Sequence, residues 1–401
     1  MTEIEKIKSL SKKNSERLVN IRRHLHANPE LSFKEYNTST FIKSVLNELN
    51  ISFKDGFVET GIVAEIKGKN PEKKVVALRA DMDALPIIEN SNKEYTSKSP
   101  GIMHACGHDV HMTCLIGAII MLSELKNEFE GTVKFIFQPG EEVLPGGAKL
   151  MLEQKALGNK LPHSIIAQHV FPSMETGKVG FRSGMYMAST DEIYLTVHGK
   201  GGHAAMPSEY SNPILIAAKI LMELENEYMK SKHLDESGKE IPCVLAFGKF
   251  QANGATNVIP DKVSVEGTFR TMNENWRSIS HEKIKSIAEK IASENDGKAE
   301  VDIIKGYPFL SNDENITEHC RNAAIEFLGK ENVEELPLRM TAEDFAWYSQ
   351  EMPACFYRLG TGNKSKGITS GVHTSTFDID ENALEIGAGL MAWLTVSLLK
   401  E

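Results

Sequence analysis

Three apolar runs in the first half of the chain break off, each at its carboxyl end, into acidic or histidine-bearing tails. They are Val75-Val-Ala-Leu-Arg-Ala-Asp81-Met-Asp83, Val133-Lys-Phe-Ile-Phe-Gln-Pro-Gly-Glu141-Glu142 and Ile165-Ile-Ala-Gln-His169. Short, nearly continuous runs rich in Val, Ile and Phe are strands buried on both faces, which requires a sheet covered by helices. Ile62–Ile66 adds another such run, and Val110–Leu125 is an apolar helical stretch between the Val75 and Val133 runs, so the order is that of an α/β domain. In open α/β sheets ligands bind outside the carboxyl ends of the strands, so the three tails are expected at one edge of the sheet.

A loop of unusual composition belongs with them. Met103-His-Ala-Cys-Gly-His-Asp-Val-His111 offers His104, Cys106, His108, Asp109 and His111 within eight residues. A divalent cation of borderline softness needs thiolate, imidazole and carboxylate groups converging at about 2.0–2.3 Å, and such crowding supplies them. Alone, the cluster fits a zinc knuckle or a loop of surface histidines as well as it fits a metal site that does chemistry. A closed finger is ruled out because Cys114, Cys243, Cys320 and Cys355 form no second Cys-x-x-Cys half, so any remaining ligands must come from elsewhere in the chain.

The middle of the chain has another rhythm. Strand-like Asp191–His198, helical Pro213–Met229, strand-like Val244–Gln251 and Lys262–Arg270, helical Asn275–Ser293 and strand-like Ala299–Ile304 spell β-α-β-β-α-β, the ferredoxin-like pattern. Helical Asn315–Leu328, strand-like Ala354–Leu359 and helical Glu381–Leu399 then read as the α/β domain resuming. The expected architecture is a catalytic α/β domain with a central, mostly parallel sheet (residues 1–187 and 305–401), interrupted by an inserted ferredoxin-like domain (188–304).

A formal net charge of −10 and the lack of a long Lys/Arg run argue against nucleic acid or an anionic membrane as partner. The amphipathic N-terminal stretch has no apolar core of a secretory signal, and Leu115–Leu122 and Ile386–Leu399 fall short of the ~20 residues that span a bilayer. Five scattered cysteines suggest free thiols in a reducing compartment, and the cytoplasm is the expected location.

Further motifs complete a pattern. Arg22-Arg-His-Leu-His-Ala-Asn-Pro-Glu-Leu-Ser-Phe33, Leu78-Arg-Ala-Asp-Met-Asp-Ala-Leu-Pro86, the Met103–His111 loop, Gln138-Pro-Gly-Glu-Glu142, Gly199-Lys-Gly-Gly-His-Ala-Ala-Met-Pro207, Asn257-Val-Ile-Pro-Asp261, Gly267-Thr-Phe-Arg-Thr271 and Gly371-Val-His-Thr374 follow one another in order. Together they resemble the M20 metallopeptidase family, and most closely its amidohydrolase branch of hippurate hydrolases, N-acyl-amino-acid aminohydrolases, auxin-conjugate hydrolases and some carboxypeptidases.

The resemblance implies a dinuclear site in which Cys106 bridges two divalent cations and His108, Glu142, His169 and His373 complete the protein ligands. Zinc suits thiolate and imidazole, with manganese, nickel or cobalt as alternatives. Glu141 would be the general base. Adjacent residues on an extended segment point to opposite sides, so Glu142 is expected toward metal and Glu141 toward water. Asp83 would orient a metal ligand, Asp81 stands where other branches carry a ligating histidine, and Asp109 is expected to accept from a ligand imidazole. His203, from its own or a partner subunit, would stabilise the oxyanion. Asn257 and Arg270 would hold the substrate carboxylate.

The implied reaction is hydrolysis of N-acyl (acetyl- or benzoyl-type) amino acids, the inserted domain serving as lid and as the interface of a homodimer or tetramer. Carboxypeptidase action on short peptides, N-acetyl-diaminopimelate deacetylation and a catalytically silent ligand-binding relative are the alternatives. His104, His111, Glu343, Asp344 and the Gly360–Gly362 loop receive no role.

Overall fold

The computed structural model describes residues 1–400, which form two compact units: residues 1–186 with 311–337 and 344–400, and residues 187–310 with 338–343. The first unit is built on an eight-stranded sheet. In spatial order its strands are Ser52–Phe57, Gly61–Lys67, Thr132–Gln138, Val75–Asp81, Ser164–Glu175, Ala354–Gly362, Val179–Phe181 and Val333–Glu335. The four central strands pair in parallel, as their apolar runs predict. The flanks bring in antiparallel pairs: Gly61–Lys67 pairs so with both of its neighbours and Val179–Phe181 with Ala354–Gly362, while the edge strand Val333–Glu335 runs parallel to Val179–Phe181. The Ser52–Lys67 hairpin closes through Val58 and Glu59, both non-glycine residues at positive φ.

Helix His108–Glu124 is apolar on all sides, and residues 108–122 are all buried. It packs against helix Asn382–Lys400 so closely that a Cβ on Gly117 would lie 2.5 Å from the Cβ of Ala388. At 19 residues the latter helix is long and apolar enough to cross a membrane, contrary to the shortfall expected from Ile386–Leu399 alone. Its side chains are nonetheless occupied within the fold: Leu384, Leu390, Met391, Leu394 and Leu398 belong to the main core.

The second unit carries a four-stranded antiparallel sheet in the order Cys243–Ala252, Lys262–Thr271, Asp191–His198, Lys298–Lys305, the strand arrangement of a ferredoxin-like β-α-β-β-α-β unit. Strand Asp191–His198 alternates, burying Ile193, Leu195 and Val197 against Ile216 and Ile220 of helix Pro213–Tyr228 and Ile284 of helix Glu274–Ser293. Each such side chain contributes about 1.5–3 kcal/mol by leaving water. Leu338–Glu343 joins this unit, although it falls in the 305–401 stretch expected to belong to the α/β domain. The physical reason is hydrogen bonding to the segment's carbonyls: the Ala188 amide donates to those of Arg339 and Thr341, and the Arg270 guanidinium donates to that of Met340.

Candidate metal centre

Glycine places the loop that carries the donors. Gly107, at φ 85°, caps helix His108–Glu124, and a Cβ there would meet Val170 Cγ2 at 2.5 Å. The turn puts Cys106 just ahead of the helix and His108 at its first position. His108 and His111, three residues apart on one helix face, both reach the Asp81–Asp83 strand end.

Cys106 lies at the centre. Its Sγ is 3.5 Å from His169 Nε2 and 3.3 Å from His373 Nε2, while His373 Nε2 is 3.4 Å from Glu142 Oε1. His108 Nε2 lies 3.8 Å from the same Glu142 oxygen. His373 is at φ 60°, unusual for a side chain other than glycine, and its amide donates to the Ala105 carbonyl at 2.7 Å.

The second ring nitrogens are spoken for. His108 Nδ1 donates to the Asp83 carbonyl at 2.8 Å and lies 3.2 Å from its Oδ1, and His169 Nδ1 donates to the Val170 carbonyl at 2.8 Å. Both histidines thereby turn Nε2, with its lone pair, toward Cys106 and Glu142. His111 differs: Nδ1 pairs with Asp81 Oδ1 at 2.6 Å and Nε2 accepts from the Val170 amide at 2.9 Å, leaving no nitrogen for a cation. His104 is buried with neither ring nitrogen hydrogen-bonded, and burial pushes its imidazole down to about 4.

The donor set fits a cation. His108 Nε2 and Glu142 Oε1 are buried without a hydrogen-bond partner, each a deficit of about 1–3 kcal/mol, and a metal ion satisfies an imidazole lone pair and a carboxylate together. Ligand atoms of Cys106, His108 and His169, of Cys106, Glu142 and His373, and of His108, Glu141 and Glu142 form groups within 4.8 Å. Electrostatics point the same way. Burial opposes charge on His108, yet Asp81, Asp83 and Glu142 together raise it to about 10. Burial, then Glu142, Glu141 and Asp81, push the Cys106 thiol well up, so a cation is what would make it a thiolate.

Two sequence expectations change. Glu141 and Glu142 do not point apart: both bring an oxygen within 4.8 Å of His108, because Gly140 at φ 60° turns a segment that is bent rather than extended. Asp109 does not meet a ligand imidazole. Its Oδ2 accepts from Arg22 Nε at 2.9 Å and pairs with His26 Nδ1 at 2.8 Å, because one helical step of about 100° turns it away from His108.

Asp81 is saturated by Arg79 and His111, both at 2.6 Å. Arg79 also donates to Gln138 and Asp344, and the Asp344 amide lies 3.4 Å from Glu141 Oε1. Sequence reasoning missed Arg79, although a lone arginine in a buried apolar strand is itself a signal that counter-charges are near.

His203, Asn257 and Arg270 belong to the second unit. His203 is exposed and its strand pairs with Val258–Ile259; the Asn257 carbonyl accepts from the Ala204 amide at 3.1 Å. Arg270 is half-buried and donates to the Met340 carbonyl at 3.2 Å, with no carboxylate partner among the described residues.

Residues 77–395 match peptidase family M20/M25/M40, and the chain belongs to this family. It is a metal-dependent hydrolase of amide bonds. Among similar proteins, the IAA-amino acid hydrolase ILR1-like 5 of Arabidopsis thaliana is 38% identical over 95% of this chain and 86% of its own length. The N-acetylcysteine deacetylase of Bacillus subtilis is 37% identical over 96% and 97%. A crystal structure of the Bacillus subtilis YXEP protein, described as a dinuclear metal binding peptidase from the M20 family, superposes with a TM-score of 0.81 at 34% identity, covering 97% of this chain and 99% of that one.

Proposed function

We propose that the protein hydrolyses N-acyl amino acids of acetyl or benzoyl type, releasing a carboxylic acid and a free amino acid. The observation that carries this reading is the convergence of Cys106, His108, Glu142, His169 and His373 with Glu141 beside them. We assign the five as ligands of two divalent cations, zinc first, with Cys106 between the two. When bound, the cations would polarise the amide carbonyl and lower the pKa of nearby water from about 15.7 toward about 7.

The remaining chemistry falls to the chain. Glu141 takes a proton from the attacking water as the C–O bond forms, then delivers it to the departing nitrogen as the C–N bond breaks. Asp83 holds the His108 tautomer, and the Arg79–Asp344 pair fixes the surroundings of Glu141. His203 is assigned to the oxyanion, and Asn257 and Arg270 to the substrate carboxylate; a half-buried guanidinium without an anion of its own suits that task. The same reading makes the protein a homodimer through its second unit, which light scattering checks.

The test is a panel of N-acetyl and N-benzoyl amino acids and dipeptides offered to zinc- and manganese-reconstituted protein, with metal content measured alongside. Cleavage is expected on the acyl amino acids, lost on chelation and lost in Glu141→Ala with metal still bound. Preference for dipeptides would instead make the protein a carboxypeptidase, and substantial turnover by Glu141→Ala would remove that residue from the base role.

A further inference from the structure

Glu35 lies in the loop ahead of helix Tyr36–Glu48, far in sequence from every donor at the metal centre, yet its side chain is fully buried. Its Oε1 accepts from two backbone amides, Phe33 and Gly140, each at 2.9 Å, and its Oε2 accepts from the buried Thr60 hydroxyl at 2.8 Å. Gly140 immediately precedes Glu141. On the other side of Glu141 the Glu142 amide donates to Asp83 Oδ2 at 3.0 Å. The residue assigned as general base is thus held between two amides, each bound to a different buried carboxylate.

The Ser32–Glu35 loop serves both anchors. Ser32 Oγ donates to Asp83 Oδ2 at 2.6 Å, and Glu35 takes Gly140 directly. Between them Phe33, at φ 62°, lays its ring on Gly140, where an added Cβ would meet the ring at 2.3 Å. Gly140 therefore cannot drift toward the loop past the ring, and Glu35 keeps it from drifting away. A carboxylate in this position is costly. Burial, reinforced by the charge of Asp83, pushes Glu35 up to about 7, against the pull of its hydrogen bonds. An apolar side chain would spare that cost but would leave the buried Gly140 amide and the part-buried Phe33 amide without this acceptor.

We infer that Glu35 is a positioning residue for hydrolysis, acting through the Gly140 amide to hold the Glu141 carboxylate at its working position. The inference rests on the assignment of Glu141 as base. Displacing a catalytic group by about 1 Å can cost about 10²-fold in rate, so a slack Gly140 should appear in turnover before it appears in substrate binding.

The test compares Glu35→Ala with Glu35→Gln. The glutamine carbonyl can still accept from both amides while its NH2 donates to Thr60, so it is the conservative rescue. Hydrogen exchange of the 138–143 peptide in metal-free protein should quicken by about tenfold in Glu35→Ala and stay near wild type in Glu35→Gln. With metal loaded to the wild-type level, Glu35→Ala should lose about 10- to 100-fold in kcat with KM within twofold, and Glu35→Gln should recover most of it. If Glu35→Ala does not fold, Glu35→Asp, shorter by one bond of about 1.5 Å and unable to span both amides, carries the same expectation. Unmoved exchange, unmoved kcat, or a loss that glutamine does not rescue overturns the proposal. Failure of the base assignment shows separately, as turnover that survives Glu141→Ala.

Discussion

Asp83→Asn keeps the shape of one side chain and changes what it can accept. Three donors converge on this carboxylate: His108 Nδ1 on Oδ1, and the Ser32 hydroxyl and the Glu142 amide on Oδ2. An asparagine has one oxygen for these two directions, and its NH2 must face a donor whichever way it turns. Turned toward Glu142, it repels an amide that has no freedom to rotate. Turned toward His108, it favours the tautomer with the proton on Nε2, which cannot ligate a cation, though the backbone carbonyl of Asp83 still accepts from Nδ1 at 2.8 Å. The second is the cheaper error because one acceptor survives. Loss of a carboxylate behind a ligating histidine costs about 10- to 100-fold in metal affinity, or about 1.4–2.7 kcal/mol, and the retained carbonyl places the expectation in the lower half of that range. The assay is competition for zinc against a chromophoric chelator, with the Tm of metal-free protein as control. Affinity within twofold of wild type would refute the reasoning, as would a drop in metal-free Tm large enough to account for the whole loss.

Asp109→Ala is expected to cost about 3–5 kcal/mol in urea unfolding, nearer the lower figure because Arg22 keeps Asp378 at 3.1 Å, while metal affinity changes little; weakened metal binding at unchanged stability would put Asp109 back behind a ligand. Glu35 gives a pH dependence of definite sign. Its folded pKa, about 7, lies above its ordinary value of 4.5, so it favours the folded state at low pH, and stability should fall as pH rises through the interval between them. The full effect is on the order of 3 kcal/mol, and Glu35→Gln should flatten that slope when metal-free protein is unfolded at successive pH values. Arg270→Ala should raise KM for acyl amino acids by about 10- to 100-fold with little change in kcat, as loss of a charge-assisted bond of about 1.5–3 kcal/mol requires; an unchanged KM would remove it from carboxylate recognition.

Much of this architecture is written in local pattern. The parallel centre of the sheet is legible because strands buried on both faces must be apolar throughout, and its polar tails are legible because parallel strands present their carboxyl ends together. The inserted sheet follows from the alternation in Asp191–His198 and its neighbours. The antiparallel hairpin Ser52–Lys67 was less visible: the Ser52–Phe57 strand is largely exposed and carries Lys54 and Asp55, so it lacks the signature of a strand. The return of Leu338–Glu343 to the second unit rests largely on backbone hydrogen bonds that any sequence can make, from the Ala188 amide to Arg339 and Thr341, with the Arg270 side chain adding one to Met340.

Within the metal centre the limit of sequence reasoning falls between residue type and residue direction. His104, His108 and His111 are chemically equal in the loop, and only the partners of their ring nitrogens separate them: His111 is closed by Asp81 and Val170, His104 meets neither acceptor nor donor, and only His108 combines a donating Nδ1 with an Nε2 turned to Glu142. The Glu141-Glu142 pair carries the same lesson at the backbone. Alternation along an extended chain would divide the two carboxylates between opposite faces, and a single left-handed glycine, held by Glu35 from a loop more than a hundred residues earlier, brings them to one. On the proposed assignment of Glu141 as base and Glu142 as ligand, this turn is what lets two residues adjacent in sequence serve one centre. The enforcing groups, a buried acid and a phenylalanine at positive φ, are therefore as much part of the site as the donors they never touch.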